Sequence, residues 1–292
     1  MNTPSNQQFR AALVQLRAGR TIEPNLAAAE ALIREAARGG AHYVQTPENT
    51  ALMELDPALV LAQVRTEVES EPLQRMRGLA AELGIWLHVG SLGIKVDEAR
   101  VANRSFLIDP KGAIAARYDK LHMFDVDLAG GESYRESQYY APGSKAVVAD
   151  LPWGRLGLTI CYDLRFPALY RALATAGADL IAIPAAFTKQ TGEAHWHVLV
   201  RARAIETGSF VLAATQGGLH ENGRETFGHS MIVSPWGEIL AEAGEDTCVI
   251  FAEIDPARSK EARARIPSLR HGRPFEIEPV GDEPDFARKE AS

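Results

Sequence analysis

Gly154-Arg155-Leu156-Gly157-Leu158-Thr159-Ile160-Cys161-Tyr162-Asp163-Leu164-Arg165-Phe166-Pro167 is an apolar strand pattern that stops at a cysteine. Leu156, Leu158 and Ile160 alternate as they would on one face of a pleated strand, and the residues after Arg165 change to helical spacing behind a proline suited to a first helical turn. The spacing predicts a strand-to-helix turn at Cys161. At the carboxyl end of a strand a side chain faces a crevice, and the N–H groups opening the next helix point at any negative charge that develops there. Cys161 is then either a nucleophile at that crevice or a buried structural thiol, since free cysteines are among the most buried residue types.

Working outward, residues 8–16 and 41–46 read as buried strands, with an amphipathic helix over 24–38 that ends at Gly39-Gly40. The second strand runs into Pro47-Glu48-Asn49, where proline forces the chain out of the sheet and leaves Glu48 at the strand's carboxyl end. A helix over 72–83 and a strand over 85–96 extend this to βαβαβ. Residues 104–109 and 113–118 flank Pro110-Lys111-Gly112 as a hairpin. Beyond Cys161 come a helix (168–176), a strand (179–184), a long helix (193–207), a strand (210–215), a second hairpin and a last strand (248–254). Ser105 to Ala116 and Ser230 to Ala241 share the pattern S-x-x-(I/V)-x-P-x-G-x-I-x-A, which implies two structurally similar halves. Near-continuous apolar strands need cover on both faces, and two sheets packed face to face with helices outside each supply it.

The chain has 292 residues, 46% hydrophobic and 24% charged, with a formal charge of -7, as expected of a globular, mildly acidic protein with no nucleic-acid partner. No run of 18 apolar residues is present and the amino terminus lacks a signal-peptide layout, so the expected setting is cytoplasmic, with no membrane association. Only Cys161 and Cys248 could form a disulfide, and that compartment argues against one. No linker composition divides the chain. The expectation is one domain over 1–292, with its core at about 8–275 and a tail at about 276–292.

Two charged residues stand where apolar segments end, Glu48 and the Lys120 of Tyr118-Asp119-Lys120-Leu121-His122. Taken singly each reads as a solvated surface charge. With Cys161 they form a reactive set: a carboxylate can take the thiol proton, pass it to a leaving nitrogen and later activate water, and an ammonium can stabilise the oxyanion.

At these residues the sequence resembles the nitrilase superfamily of carbon–nitrogen hydrolases, through Pro47-Glu48-Asn49, Asp119-Lys120-Leu121-His122 and Ile160-Cys161-Tyr162-Asp163-Leu164-Arg165-Phe166-Pro167. The resemblance runs from about Phe9 to Phe275. It implies a four-layer αββα sandwich and an acyl-thioester mechanism on a Glu48, Lys120, Cys161 triad. It implies no metal or organic cofactor, and a homo-oligomer, a dimer or higher. Glu136 matches the family's second glutamate, which orients the triad and substrate, and the Tyr162 backbone N–H takes the oxyanion. Phe124, Phe187, Thr188 and Arg165 are the expected substrate contacts, with Arg165 orienting a substrate carboxylate or bracing Asp163.

Gly192 to His197, Arg201 to Thr207 and Gly228-His229-Ser230 look like the branch whose small-molecule amide substrates carry α-ketoglutarate-type acyl groups. The expected substrate is deaminated glutathione; alternatives are α-ketoglutaramate, an N-carbamoyl amine, or no substrate in a scaffold of the same fold. Tyr162 stands where nitrile-hydrolysing members carry tryptophan, so an amide is expected rather than a nitrile. His195 and His197 point about 200° apart on a helix and cannot share one ion. His122 is expected to pack or hydrogen-bond near the site, and Cys248 to be a core thiol.

Overall fold

The computed structural model describes residues 8–128 and 131–278. The first half comprises β1 (Phe9–Gln15), α1 (Ile22–Arg38), β2 (Tyr43–Gln45), α2 (Pro57–Gln63), α3 (Glu71–Leu83), β3 (Trp86–Lys95), β4 (Val101–Ile108) and β5 (Ile114–Asp119). A small ribbon follows, β6 (Asp125–Asp127) with β7 (Ser133–Arg135). The second half comprises β8 (Val147–Leu151), β9 (Gly154–Leu158), α4 (Pro167–Thr175), β10 (Leu180–Ala182), α5 (Lys189–Thr207) and β11 (Phe210–Ala213). It continues with a ribbon of β12 (Gly217–Leu219) and β13 (Glu225–Phe227), then β14 (Met231–Val233), β15 (Ile239–Glu242), β16 (Cys248–Ile254) and α6 (Ala257–Arg265).

Two six-stranded sheets result, ordered β16-β1-β2-β3-β4-β5 and β15-β14-β11-β10-β9-β8. Each has three parallel strands at its centre, a hairpin on one side and an antiparallel edge strand on the other. The repeated serine-to-alanine pattern is therefore the hairpin β4–β5 in one half and β14–β15 in the other. Its glycines, Gly112 at φ 79° and Gly237 at φ 83°, take the left-handed conformation that the turns demand. The last strand among the described residues crosses back: β16 pairs with β1 from Phe9↔Ile254 to Gln15↔Cys248 and ties the second half to the first sheet.

The alternation of each strand divides its side chains between two cores. Ala12, Val14, Val44, Leu87 and Val89 point outward from the first sheet and meet Leu26, Ile33, Leu73 and Met76 of α1 and α3. Phe9, Leu13, Tyr43 and Leu107 point inward against Leu156, Leu158, Leu180 and Leu212 of the second sheet, whose far side is covered by α4 and α5 through Tyr170, Trp196 and Val200. The layers are α, β, β, α, as the resemblance implied. At roughly 1.5–3 kcal/mol for each large apolar side chain removed from water, this double interior is the principal source of stability. Ser70 caps α3 by accepting from the Leu73 N–H, and Gly84 ends it at φ 65°.

Element boundaries depart from the sequence reading by a few residues, most at α5, which begins at Lys189 rather than 193. The sequence reading did not anticipate α2, the two ribbons, β8 or α6, all short elements without a sustained apolar period. The expected tail at 276–292 lies, from residue 279 on, outside the described residues. Among the described residues no helix is long and apolar enough to cross a membrane.

Candidate active site

Both sheets aim strand ends at one place. Pro47 takes the chain out of β2, Gly90 of β3 lets the backbone pass against the Thr46 and Pro47 carbonyls where a Cβ could not fit, and Asn49 turns at φ 57°. Glu48 is thereby carried inward between the sheets. On the other side β9 ends at Leu158, the Cys161 N–H donates to the Pro184 carbonyl at 2.9 Å, and a 3-10 turn over Cys161–Arg165 leads into α4. Cys161 itself sits at φ 48°, a left-handed conformation costing about 1–3 kcal/mol in a residue with a Cβ, and one that packing has to enforce.

The charged groups are buried and mutually satisfied. Lys120 Nζ donates to Glu48 Oε1 at 2.9 Å and to Glu136 Oε2 at 2.8 Å. Asn103 Nδ2 donates to Glu48 Oε1 at 2.9 Å, and the Ala186 N–H to Glu48 Oε2 at 2.9 Å. Glu136 is anchored in turn by the Phe124 N–H at 2.7 Å. Glu48 and Lys120 are only 3% and 2% exposed, so neither charge is solvated in the ordinary way.

Burial pushes the Glu48 carboxyl up, but the Lys120 charge and hydrogen bond, with Arg224 beyond, outweigh it and hold the carboxyl below its usual range. Burial likewise opposes the Lys120 ammonium, and the carboxylates of Glu136 and Glu48 overcome it, keeping Lys120 charged. The Cys161 thiol is raised far above its usual value by burial and then by the neighbouring Glu48 charge, with Lys120 opposing. The resting arrangement is a neutral thiol beside a carboxylate.

Glu48, Lys120, Glu136 and Cys161 line one cavity of about 370 Å³, with Phe124, Tyr162, Phe187 and Thr188 in its wall. Every candidate but Arg165 is thus gathered there. The Arg165 guanidinium lies over the rings of Phe187, at 5.2 Å, and Tyr162, at 5.9 Å, reaches His195 Nδ1 at 3.4 Å, and does not line the cavity. Nor does Arg165 brace Asp163. That fully buried carboxylate accepts from the Tyr118 hydroxyl at 2.6 Å and the Ile160 N–H at 2.8 Å, and it pairs with His122 Nδ1 at 2.6 Å. His122 stacks on Phe166 with ring centres 3.5 Å apart and holds the turn beneath Cys161 without lining the cavity.

Sequence reasoning passed over Asn103, Tyr134 and Arg224, all in the cavity wall. Asn103 carried a signal, a lone amide in the apolar run of β4. Arg224 sits in a polar turn and carried none. His197, on α5, is the partner of His229 and Glu242, whose donor atoms lie within 4.8 Å of one another, the one such group among the described residues that could hold a metal ion. His195 is not part of it, as the helical spacing requires. None of the three lines the cavity. Both cysteines are free, and Cys248 on β16 is only partly buried rather than a core thiol.

The family model described as carbon-nitrogen hydrolase matches residues 10–264. A curated relative, deaminated glutathione amidase of Yersinia enterocolitica, is 43% identical over 265 residues, 90% of this chain and 92% of its own length. Among solved structures, the Caenorhabditis elegans NitFhit protein superposes with a TM-score of 0.84 at 36% identity, covering 94% of this chain and 66% of that one. The amidase of Nesterenkonia sp. AN1, in a glutamate-to-glutamine variant with a covalent adduct on its active-site cysteine, superposes with a TM-score of 0.76 at 27% identity over 93% of this chain and 98% of that one.

Proposed function

The chain belongs to the carbon–nitrogen hydrolase family, and from that premise we propose that it hydrolyses deaminated glutathione to α-ketoglutarate and cysteinylglycine through a thioester on Cys161. The observation that carries this reading is the Cys161 thiol and the Lys120-paired Glu48 carboxylate brought together in one cavity wall, in a chain 43% identical to a deaminated glutathione amidase.

Glu48 takes the thiol proton as sulfur attacks the amide carbonyl carbon. The carbonyl oxygen becomes an oxyanion facing the Lys120 ammonium and the Tyr162 N–H, whose charge and dipole are in place before the reaction begins. Protonated Glu48 gives its proton to the leaving nitrogen, the carbon–nitrogen bond breaks and cysteinylglycine departs. Glu48 then deprotonates a water, which adds to the thioester. The second tetrahedral intermediate expels the thiolate, Glu48 returns the proton to sulfur, and α-ketoglutarate leaves.

Glu136 holds Lys120 in position and keeps a second negative charge near it, so the ammonium survives burial. Phe124, Phe187 and Thr188 form the acyl pocket, and Arg165 over the Phe187 ring adds positive potential for the acyl carboxylate. No cofactor is needed for this sequence of steps. The protein works as a single domain in the cytoplasm, where the thiol stays reduced. It associates as a homo-oligomer through exposed apolar residues of α5 and its neighbours, Val198, Ile205, Trp236 and Ile266.

Parallel steady-state assays test the substrate, one following free cysteinylglycine thiol and one following ammonia, with α-ketoglutarate measured in both. Deaminated glutathione is expected to exceed α-ketoglutaramate in kcat/KM, because a shaped leaving group supplies contacts that ammonia cannot, each worth about 1–3 kcal/mol. The reverse preference would make the enzyme an ω-amidase. Failure on both with turnover of a ureido acid would make it a carbamoylase, and failure on all three a scaffold.

A further inference from the structure

We propose that Arg224 receives the terminal carboxylate of the departing dipeptide and so makes the enzyme selective for a carboxylated leaving group; this rests on the substrate reading above. Arg224 stands in the turn between β12 and β13, where its N–H donates to Asn222 Oδ1 at 3.0 Å. Its side chain shares the cavity wall with Glu48, Lys120 and Cys161. The guanidinium lies over Tyr134, 5.2 Å from the ring centre, and spends one N–H on the Ala186 carbonyl. Its Nε is buried without a hydrogen-bond partner.

The other cations of the cavity are already occupied. Lys120 is divided between Glu48 and Glu136, and Arg135 pairs with Asp127 at 2.7 Å. Among the described residues no carboxylate pairs with Arg224. A partly buried guanidinium with most of its five donors unspent, facing a cavity, is a planar fork fitted to a carboxylate.

Ala186 fixes which carboxylate this is. Its N–H donates to Glu48 Oε2 at 2.9 Å, and its carbonyl accepts from Arg224 Nη2. One residue and a hydrogen bond on either side therefore separate Glu48 Oε2 from the guanidinium. In the proposed reaction Glu48 hands its proton to the leaving nitrogen, which places that nitrogen at the same carboxyl group. From there cysteinylglycine extends two residues, at most about 7 Å, to its free carboxylate. A reach of that order is what the path from Glu48 through Ala186 to Arg224 calls for. The acyl carboxylate lies across the scissile carbonyl, in the opposite direction.

The test compares kcat/KM of wild type and R224Q on deaminated glutathione, on its carboxyl-terminal glycinamide, and on α-ketoglutaramate, which has no carboxylate beyond the scissile nitrogen. Wild type should prefer the free carboxylate to the glycinamide by about 30-fold, mainly through KM, as expected for loss of a charge-assisted pair. R224Q should shrink that preference below about 3-fold, and should lose at least about ten times more on deaminated glutathione than on α-ketoglutaramate. Wild-type indifference to the glycinamide overturns the proposal without requiring any variant to fold. Equal losses on all three substrates overturn it too, since Arg224 would then act on Glu48 alone. Wild-type turnover of α-ketoglutaramate with none of deaminated glutathione fails the substrate reading itself and takes this proposal with it, whereas wild-type turnover of deaminated glutathione without carboxylate selectivity fails only the role of Arg224.

Discussion

The two hairpins that repeat the serine-to-alanine pattern end in opposite ways. In the first half β5 delivers Lys120 into the interior, where Glu48 and Glu136 close on it and it is 2% exposed. In the second half β15 delivers Glu242 to the surface, where His197 Nε2 and His229 Nδ1 meet it at 2.7 and 2.8 Å with every partner about a third exposed. Each is a cluster of three titratable groups at the end of the same structural element. What differs is the cover: Glu136, held by the Phe124 N–H beside the β6–β7 ribbon, closes on Lys120, whereas Glu242 and its two histidines stay about a third exposed. The fold repeats its scaffold, and burial alone decides which copy can do chemistry. In water each such pair would be worth little, whereas between the sheets the same charges hold one another ionised and hold a thiol neutral.

The largest expected effect falls on the covered end. Cys161→Ala should abolish turnover while the thermal midpoint moves little, because losing one sulfur at a cavity wall leaves no large core void. Residual activity above a few per cent of wild type would remove Cys161 from the mechanism. Glu48→Gln should suppress both the acylation burst and steady-state turnover, since an amide cannot shuttle a proton, and an intact burst would mean that another base serves acylation. Lys120→Met removes the ammonium that bridges buried Glu48 and partly buried Glu136 and should destabilise the fold by about 3–5 kcal/mol, read as a shift in denaturant midpoint, together with loss of acylation. A loss below about 1 kcal/mol would place that group with surface pairs and erase the contrast between the two hairpins.

How much of this the sequence could reveal follows from the range of the interactions. Strand alternation, Pro47 beside Glu48 and Pro167 after Cys161 are local, so the turn at Cys161, the exit at Glu48 and the βαβ order were legible. The pairing of β16 with β1 joins residues nearly the whole chain apart, and no local pattern encodes it. Lys120 and Glu48 read singly as surface charges, and only their combination with Cys161 and the family resemblance lifted them out, because burial comes from packing two sheets. Arg165 looked like a substrate contact on its nearness to Cys161 in sequence. In the fold, four residues onward along a turn is enough to put its side chain over the Phe187 ring and out of the cavity wall. Arg224 enters the cavity from a ribbon formed by three-residue strands, too short to leave a periodic trace.

The repeat's serines sharpen the comparison through acid. Ser230 Oγ pairs with Thr215 and Gln15, which do not titrate, whereas Ser105 Oγ meets His88 Nε2 at 2.6 Å in the first sheet. Burial lowers His88 to about 3, so it folds as the neutral imidazole. Its folded value lies below its unfolded value near 6.5. The stability it contributes is therefore complete above about pH 6.5 and is lost progressively as the pH falls toward 3. At pH 5 the loss should be about 2 kcal/mol, an upper figure that relaxation will reduce. Urea midpoints at pH 7 and 5 for wild type and His88→Gln measure it, and a wild type as stable at 5 as at 7 would mean that His88 can accept its proton in place.

The smallest effect belongs to the uncovered end, and it is the one on which the comparison turns. Glu242→Gln keeps the side chain's shape and an acceptor for both histidines but removes the charge. Burial pushes the Glu242 carboxyl up, while hydrogen bonds from His197 and His229 pull it down further, so it lies below its usual value. A depressed carboxyl contributes stability that is present above its unfolded pKa, near 4.3, and is lost as the pH falls through the folded value, so at neutral pH the variant should be slightly less stable than wild type. Partial exposure and salt screen the interaction, which limits the loss to less than about 1 kcal/mol, shrinking further as ionic strength rises. None of the three residues lines the cavity, so kcat/KM should stay within about twofold of wild type. Denaturant midpoints at low and high salt, with kcat/KM on the same preparations, decide it. A loss rivalling that of Lys120→Met, or one indifferent to salt, would show that the second hairpin end is as tightly enclosed as the first and that burial is not what separates them.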